Sequence, residues 1–355
     1  MKAALILLGV VLCLGLLGLA WLVVVFPNEP PAPGPSKTVA LELDAHSSLE
    51  SVAAQLSAAG LVKQPRVFAL YGHALRATQR LKQGRILVSS QMTSRQLLQR
   101  IAKGYGSTPV RITIPEGWNR FEIAARLAEW DVCGRDEFLS APISQALQAI
   151  DPKAEHSEGY LFPDTYWLND GMNAEQVVLR LTGQAKRRLQ ELQQSEASAF
   201  EALRREFGFG LREVVVLGSI VEKEARIPSE QPIIAGVFLN RLRDPQFRPK
   251  RLQADPTVAY GCLLQRDLAS CSGFDGKHIT RAMTGDPQNT YNTYRIEGLP
   301  PGPIANPGIS ALRAVLHPAT HEYYYFVARA DGRHAFSTSL ASHNLAVQHA
   351  AEGAN

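Results

Sequence analysis

The stretch Leu211–Arg226 reads LREVVVLGSIVEKEAR and is the most apolar helical segment after residue 26. Apolar side chains fall on nearly every side of it at 3.6 residues per turn, which predicts a helix buried all round. Upstream, Ala174–Phe207 predicts one long polar helix or a helical hairpin, and downstream Pro232–Leu242 predicts a second apolar helix. A buried helix with helical neighbours is typical of the centre of a large domain.

This helix carries two carboxylates, Glu222 and Glu224, near its end. At 100° per residue they point in nearly opposite directions, so they cannot form one paired-carboxylate site. Glu222 shares its stripe with Gly218, and Ser219 flanks it, which leaves room for a ligand to approach. Apolar surroundings raise the pKa of a carboxyl and suit it to general acid catalysis near neutral pH. The helix pattern leaves three roles open for Glu222: a proton donor, an ion pair with Arg226, or a side chain that emerges into water.

At the other end of the chain, Ala3–Phe26 is apolar throughout and long enough to span a bilayer of about 30 Å. It is too long for a signal peptide and lacks a small-residue cleavage site. Lys2 precedes it, which places the short end in the cytoplasm. We therefore predict a cytoplasmic tip and transmembrane anchor over 1–26, followed by a Pro-rich spacer over 27–37.

Three further domains are predicted beyond the spacer. Residues 38–106 form a small α+β module, in which Ser47 and Glu50 make a capping box for the first helix. Residues 107–170 form a connecting α+β subdomain, and 171–350 form the largest, mixed α+β domain. After residue 242 the sequence is rich in turn residues and predicts only two strands.

Composition and motifs exclude several classes of function. The chain carries 37 Lys and Arg against 33 Asp and Glu, a net charge of +4, without the basic runs of a nucleic-acid-binding protein. No phosphate-binding or dinucleotide-binding glycine motif is present. His317 and His321 have the i, i+4 spacing of a zinc pair, but Pro318 interrupts the helix that this spacing needs. No metal or cofactor is expected.

Cys262 and Cys271 flank one turn-rich insert in the part of the chain predicted to lie outside the cytoplasm. Because that compartment is oxidising, we expect them to form a disulfide.

Several ordered blocks carry a family resemblance. They include SIVEKE from Ser219 and FLNRL from Phe238, and later in the chain LQADPTVAYG from Leu252, YNTY from Tyr291 and GLPPGPIANPG from Gly298. Upstream blocks agree: IPEG from Ile114 and EGYLFPDTY from Glu158. Together they make the chain resemble the endolytic murein transglycosylase family over essentially its whole length.

The resemblance implies a lyase that cuts MurNAc–GlcNAc bonds within peptidoglycan strands and leaves 1,6-anhydroMurNAc ends, with Glu222 as the catalytic acid. It implies an inner-membrane enzyme with a periplasmic catalytic domain, a LysM-like module over 38–106, activity on nascent strands and wall-synthesis proteins as candidate partners. The polar and aromatic residues of two blocks are the expected substrate contacts: Gln253, Asp255, Thr257, Tyr260, Tyr291, Asn292, Thr293 and Tyr294.

Two rival functions stay open. A hydrolysing muramidase would use Glu222 with a second carboxylate, for which Asp255 and Glu230 are candidates, and would leave reducing ends. A non-catalytic peptidoglycan-binding scaffold would tolerate Glu222→Gln.

Overall fold

The computed structural model describes residues 18, 21–28, 38–44, 47–77, 84–90, 92–103 and 109–352. The chain divides into two units, each described by itself below. The first comprises Met1–Ile112, Ala124–Ser140 and Trp167–Val177, and the second comprises Thr113–Ile123, Ala141–Tyr166 and Val178–Asn355. Parts of 107–170 occur in both units, and the predicted domain boundaries remain a prediction.

The first unit contains the small α+β module. Strand β1 (Thr38–Leu43) pairs antiparallel with β2 (Gly84–Ser89), as the alternation of β1 predicts. Three helices accompany this pair: α1 (Leu49–Ala58), α2 (Pro65–Ala74) and α3 (Ser94–Lys103). The core of the module includes Leu41, Leu49, Leu56, Phe68, Ile86, Val88 and Ile101. Whether the module is LysM-like remains a prediction.

The N-terminal cap of α1 differs by one residue from the predicted capping box. Ser48 is the cap, because its hydroxyl accepts a hydrogen bond from the Ser51 amide at 3.2 Å. The Ser47 hydroxyl instead accepts from the Asp44 amide at 3.0 Å, closing the turn before the helix. The predicted pairing of Ser47 with Glu50 is therefore wrong.

The remaining elements follow in chain order. Strand β3 (Pro109–Ile114) and β4 (Asp164–Asn169) form a two-stranded sheet, and β5 (Tyr325–Ala328) pairs antiparallel with β6 (His334–Ser337). The helices are α4 (Arg120–Glu129), α5 (Arg135–Leu139), α6 (Gln145–Gln148), α7 (Ala174–Ser195), α8 (Ala197–Phe207), α9 (Leu211–Glu224), α10 (Gln231–Arg243), α11 (Asp255–Leu264), α12 (Arg281–Gly285), α13 (Ile309–Leu316) and α14 (Leu340–Glu352). The architecture is mixed α+β, dominated by helices with small sheets, as predicted.

Helix α9 forms the centre of the second unit, as its composition predicts. Every residue from Val214 to Val221 is buried. Helix α13 packs directly over Gly218, where a Cβ atom would stand 2.8 Å from Leu312 Cδ2. Gly218 therefore allows close contact at this helix crossing, and a larger side chain would require Leu312 to move.

Four helices that follow α10 were not expected from the sequence: α11, α12, α13 and α14. Helix α11 begins at Asp255 and has Pro256 in its first turn, where a proline is compatible with a helix. The turn-forming character of Pro256 therefore marks the start of a helix here rather than a loop. Helix α13 likewise begins directly after the Pro307–Gly308 turn.

The predicted anchor, Ala3–Phe26, lies outside the described residues apart from Gly18 and Trp21–Phe26. Among the helices that the structure describes, none combines the length and the apolar character needed to cross a membrane. Phe26 itself is buried in the first unit, with its ring 6.1 Å from that of Tyr71. Of the predicted spacer, only Pro27 and Asn28 are described.

The predicted disulfide is confirmed. Cys262 and Cys271 are bonded, and their Cα atoms lie 5.2 Å apart. The bridge closes the segment after α11 and packs in a small apolar cluster with Val258 and Met283.

Candidate active site

A cavity of about 310 Å³ opens in the second unit at the C-terminal end of α9. Its walls come from α9, α10, the start of α11, the β5–β6 pair and the first turn of α14. The lining residues are Glu224, Arg241, Gln253, Asp255, Tyr294, Tyr325, Phe326, Val327, Ala328, His334, Leu340 and His343. Two carboxyl groups with polar and aromatic neighbours in a concave site are typical of a ligand-binding cleft.

Glu224 is the last residue of α9 and one of the two acidic residues that line the cavity. Its pKa is raised from 4.5 to about 8, mainly by burial and also by the negative charge of Asp255, while the positive charge of Arg241 opposes the rise. Glu224 therefore carries a proton at neutral pH, which is the state that a general acid needs.

Arg241 is a buried cation fixed in the cavity wall by α10. Its Nε donates to the Tyr324 carbonyl oxygen at 2.7 Å, and its Nη1 donates to the Leu252 carbonyl oxygen. Its guanidinium carbon also lies 5.6 Å from the ring centroid of Tyr325. These contacts hold a permanent positive charge near Glu224, where it stabilises the carboxylate once the proton has left.

Asp255 is the first residue of α11, where the helix dipole favours a negative charge. Its Oδ1 accepts a hydrogen bond from the Tyr294 hydroxyl at 2.8 Å. This bond orients the carboxyl group and links two residues that the sequence analysis assigned to substrate binding.

Gln253 has a left-handed backbone, with φ at +51°. This conformation costs a residue with a Cβ atom roughly 1–2 kcal/mol. Neighbouring hydrogen bonds hold it in place: the Gln253 amide donates to the Thr293 carbonyl oxygen at 3.2 Å, and the Ala254 amide donates to Thr293 Oγ1 at 3.0 Å. Backbone strain of this kind clusters at functional sites.

The other predicted substrate contacts are structural. Thr257 and Thr293 are buried, and their hydroxyl oxygens lie 2.8 Å apart. Asn292 is buried, and its Nδ2 donates to three carbonyl oxygens, those of Met283, Thr284 and Asp286.

Tyr260 and Tyr291 pack edge to face, with ring centroids 5.1 Å apart, away from the 310 Å³ cavity. Tyr291 instead borders a separate cavity of about 40 Å³ beside Glu158 and Arg212. The structure therefore brings only Gln253, Asp255 and Tyr294 of the predicted contacts to the cavity.

Glu222 lies on the other side of α9, as its spacing predicts, and does not line the 310 Å³ cavity. Its Oε2 accepts a hydrogen bond from the Gly308 amide at 3.1 Å. Burial raises its pKa, and the nearby charge of Glu116 adds to the rise while the Gly308 amide opposes it. Its role as catalytic acid is a prediction that the geometry does not test directly.

The space that Gly218 and Ser219 were expected to leave for a ligand is occupied by the chain itself. Leu312 fills the space above Gly218, and the Ser219 hydroxyl accepts a hydrogen bond from the Ile304 amide at 3.0 Å. The small residues of α9 therefore serve helix packing, and the cavity forms on the Glu224 side.

Arg241, Tyr325, His334 and His343 were missed as members of the site. Arg241 had a signal in the sequence, because a charged residue in an otherwise apolar helix is rarely buried without a partner. The two histidines and Tyr325 carried no such signal, because their β-strands and helix reach the cavity only through the fold.

The chain is similar in sequence to proteins of one family. The sequence profile of the YceG-like family matches residues 41–349. A Bacillus subtilis protein named endolytic murein transglycosylase is 26% identical over 336 residues, which make up 90% of this chain and 86% of that protein. A Streptococcus pneumoniae D39 protein of the same name is 26% identical over 322 residues, 82% of this chain but only 54% of that protein. This chain therefore spans about half the length of the pneumococcal relative.

A solved structure is also similar. The 2.6 Å crystal structure of the yceG-like protein lmo1499 from Listeria monocytogenes superposes with a TM-score of 0.55 at 27% identity. The match covers 88% of this chain and 99% of that one.

Proposed function

The chain belongs to the YceG-like family, and we propose on that premise that it is an endolytic lytic transglycosylase of peptidoglycan. It would cleave MurNAc–GlcNAc bonds within glycan strands and leave 1,6-anhydroMurNAc ends. Two similar bacterial proteins named endolytic murein transglycosylase support the substrate class. The observation that carries the proposal is the protonated Glu224 in a cavity lined by polar and aromatic residues.

In the proposed reaction one carboxyl group serves twice. Glu224 donates its proton to the oxygen that bridges MurNAc C1 and GlcNAc, and the C1–O bond breaks with its electron pair passing to that oxygen. The Glu224 carboxylate then accepts the proton of the MurNAc C6 hydroxyl as the C6 oxygen bonds to C1. The acid is regenerated, and no water is consumed.

Five neighbours support these steps. Arg241 stabilises Glu224 while it is ionised, and Asp255 favours the return of the proton. Gln253, Asp255 and Tyr294 supply hydrogen-bonding groups for sugar hydroxyls, and Tyr325 supplies an aromatic face. Glu222, the acid predicted from sequence, has a carboxyl group that is bonded to the Gly308 amide and lies outside the cavity lining.

Hydrolysis is the competing reaction, because Asp255 places a second carboxyl group in the same cavity. An inverting or retaining hydrolase needs such a pair. Purified full-length chain should be incubated with peptide-free glycan strands, and the product ends should be identified by mass spectrometry. The proposal predicts anhydro ends, lighter by one water than the reducing ends that hydrolysis leaves; reducing ends alone would refute it.

We further propose that the chain acts from the inner membrane on nascent strands, with the catalytic part periplasmic. The apolar stretch Ala3–Phe26 supports this location. An anchored chain stays with the membrane fraction through washes in high salt and carbonate, whereas release by either wash would contradict the proposal.

A further inference from the structure

Glu230 and His334 form a buried carboxylate–imidazole pair next to the candidate acid. Glu230 lies in the short turn between α9 and α10, and His334 begins β6. Glu230 Oε2 lies 2.7 Å from His334 Nδ1, and Oε1 accepts a hydrogen bond from the His334 amide at 3.1 Å. Because both carboxylate oxygens are engaged by one residue, the position of the imidazole ring is fixed at two points.

This pairing also selects which ring nitrogen carries hydrogen. A carboxylate only accepts hydrogen bonds, so the proton of a neutral imidazole stays on Nδ1. The other nitrogen, Nε2, is then a hydrogen-bond acceptor. A carboxylate that orients a histidine through Nδ1 is a common way to set the tautomer of a working histidine.

The imidazole of His334 lines the same cavity as Glu224. Its other neighbours are aromatic: the ring packs edge to face on Phe326, with centroids 5.4 Å apart, and lies 6.2 Å from Phe336. Within the described part of the chain, Nε2 has no hydrogen-bond partner. Nε2 of His334 is therefore available to a ligand, and the residue lines a cavity whose other polar groups suit a polar ligand.

We propose that His334 is a substrate-binding residue whose Nε2 accepts a hydrogen bond from a sugar hydroxyl, and that Glu230 is a positioning residue that sets its tautomer. The inference rests on the proposed function for the identity of the ligand. It also removes Glu230 as a second catalytic carboxylate, because both of its oxygens are bound to His334.

Glu230→Gln in the full-length chain tests the positioning role. Glutamine keeps the shape of glutamate but offers one acceptor and one donor. Its oxygen is needed by the His334 amide, so its NH₂ group faces Nδ1 and moves the imidazole hydrogen to Nε2. Nε2 then becomes a donor and can no longer accept a hydrogen bond from the sugar.

Two readouts follow the change. Long-range ¹H–¹⁵N spectra of histidine-labelled protein should show His334 switching from the Nδ1–H to the Nε2–H tautomer. The kcat/KM on glycan strands should fall about tenfold, the loss expected for one substrate hydrogen bond. The matched control is Glu196→Gln, which alters an exposed glutamate–histidine pair, Glu196 with His317 at 2.8 Å, and should leave cleavage unchanged.

A tautomer switch with full activity would overturn the inference. A loss of activity with a lower melting temperature and an unchanged His334 tautomer would also overturn it. That result would indicate that Glu230 and His334 have a purely structural role.

A binding measurement covers the case in which Glu230→Gln fails to fold. Peptide-free glycan strands should be titrated into the Glu224→Gln variant, and the His334 Nε2 resonance should shift on binding. Bound strands with an unmoved Nε2 resonance refute the inference alone. Absence of both cleavage by the native chain and binding by the variant refutes the proposed function, and the inference falls with it.

Discussion

Replacing Glu224 with glutamine is the perturbation that tests the site most directly. Glu224→Gln keeps the volume and the polar character of the side chain but removes the proton that the reaction needs. General acid catalysis contributes at least about 100-fold, so we expect kcat on glycan strands to fall by that factor or more, roughly 2.7 kcal/mol in the barrier.

The same variant should be more stable than the native protein at neutral pH. The pKa of Glu224 is raised from 4.5 to about 8 by folding, so the folded state holds a proton that the unfolded state releases. Stability from this group is therefore complete below pH 4.5 and is lost as the pH rises toward 8. At pH 7 the loss is roughly 3 kcal/mol, which glutamine avoids because it does not ionise.

The assay pairs activity with unfolding. Glycan-strand cleavage should be timed by chromatography of the products, and urea unfolding should be measured at pH 4 and pH 7. The stability of Glu224→Gln should exceed that of the native chain at pH 7 and match it at pH 4. A variant no more stable than the native chain at pH 7 would show that folding does not keep Glu224 protonated at that pH.

Glu222→Gln is the matched control, because it makes the same chemical change two residues earlier on the same helix. Its carboxyl group accepts from the Gly308 amide, and the glutamine oxygen can keep that bond, so we expect less than about a tenfold loss. The opposite order of effects would establish Glu222 as the acid, as first predicted from the sequence. Equal losses would refute the argument that the cavity identifies the acid.

Two further outcomes follow from the structure. Asp255→Asn removes a negative charge that raises the pKa of Glu224, and the Tyr294 hydroxyl can still donate to the asparagine oxygen. The alkaline fall in kcat should therefore move from near pH 8 to lower pH. A pH–rate profile whose alkaline fall stays in place or moves to higher pH would contradict this coupling. Replacing Cys262 and Cys271 together by serine should destabilise the protein by about 2–3 kcal/mol, the value expected for a closed loop of this length. An unchanged midpoint of urea unfolding would show that the disulfide contributes nothing to stability.

Elements with a clear hydrophobic period could be predicted from the sequence. Strand β1 carries Val39, Leu41 and Leu43 at alternate positions, and α9 begins at the predicted Leu211 and ends two residues before the predicted Arg226. These elements are specified by their own residues, because alternation or a continuous apolar surface determines which faces are buried. Helix α11 was missed because Pro256 is equally compatible with a turn and with the first turn of a helix.

The side of α9 that faces the ligand could not be predicted. Small residues indicate that something approaches closely, but they do not show whether it is substrate or another part of the chain. At Gly218 it is Leu312, which lies far along the sequence. Similarly, the charges of Arg241 and Asp255 shift the pKa of Glu224 only because the fold brings these residues near it. The spacing of residues along α9 gives no information about either neighbour.

The energetics of the second unit give an independent reason to place function at the Glu224 cavity. Along α9, local structure and burial agree for the apolar residues. At the cavity three features oppose stability: the left-handed backbone of Gln253, the buried cation Arg241 and a carboxyl group that folding keeps protonated. Such costs persist when the surrounding fold enforces them and the site is used. Glu222 shares only one of them, a raised pKa, and its carboxyl group is bonded to the Gly308 amide. The concentration of unfavourable features on one side of α9 therefore favours Glu224 as the reactive group.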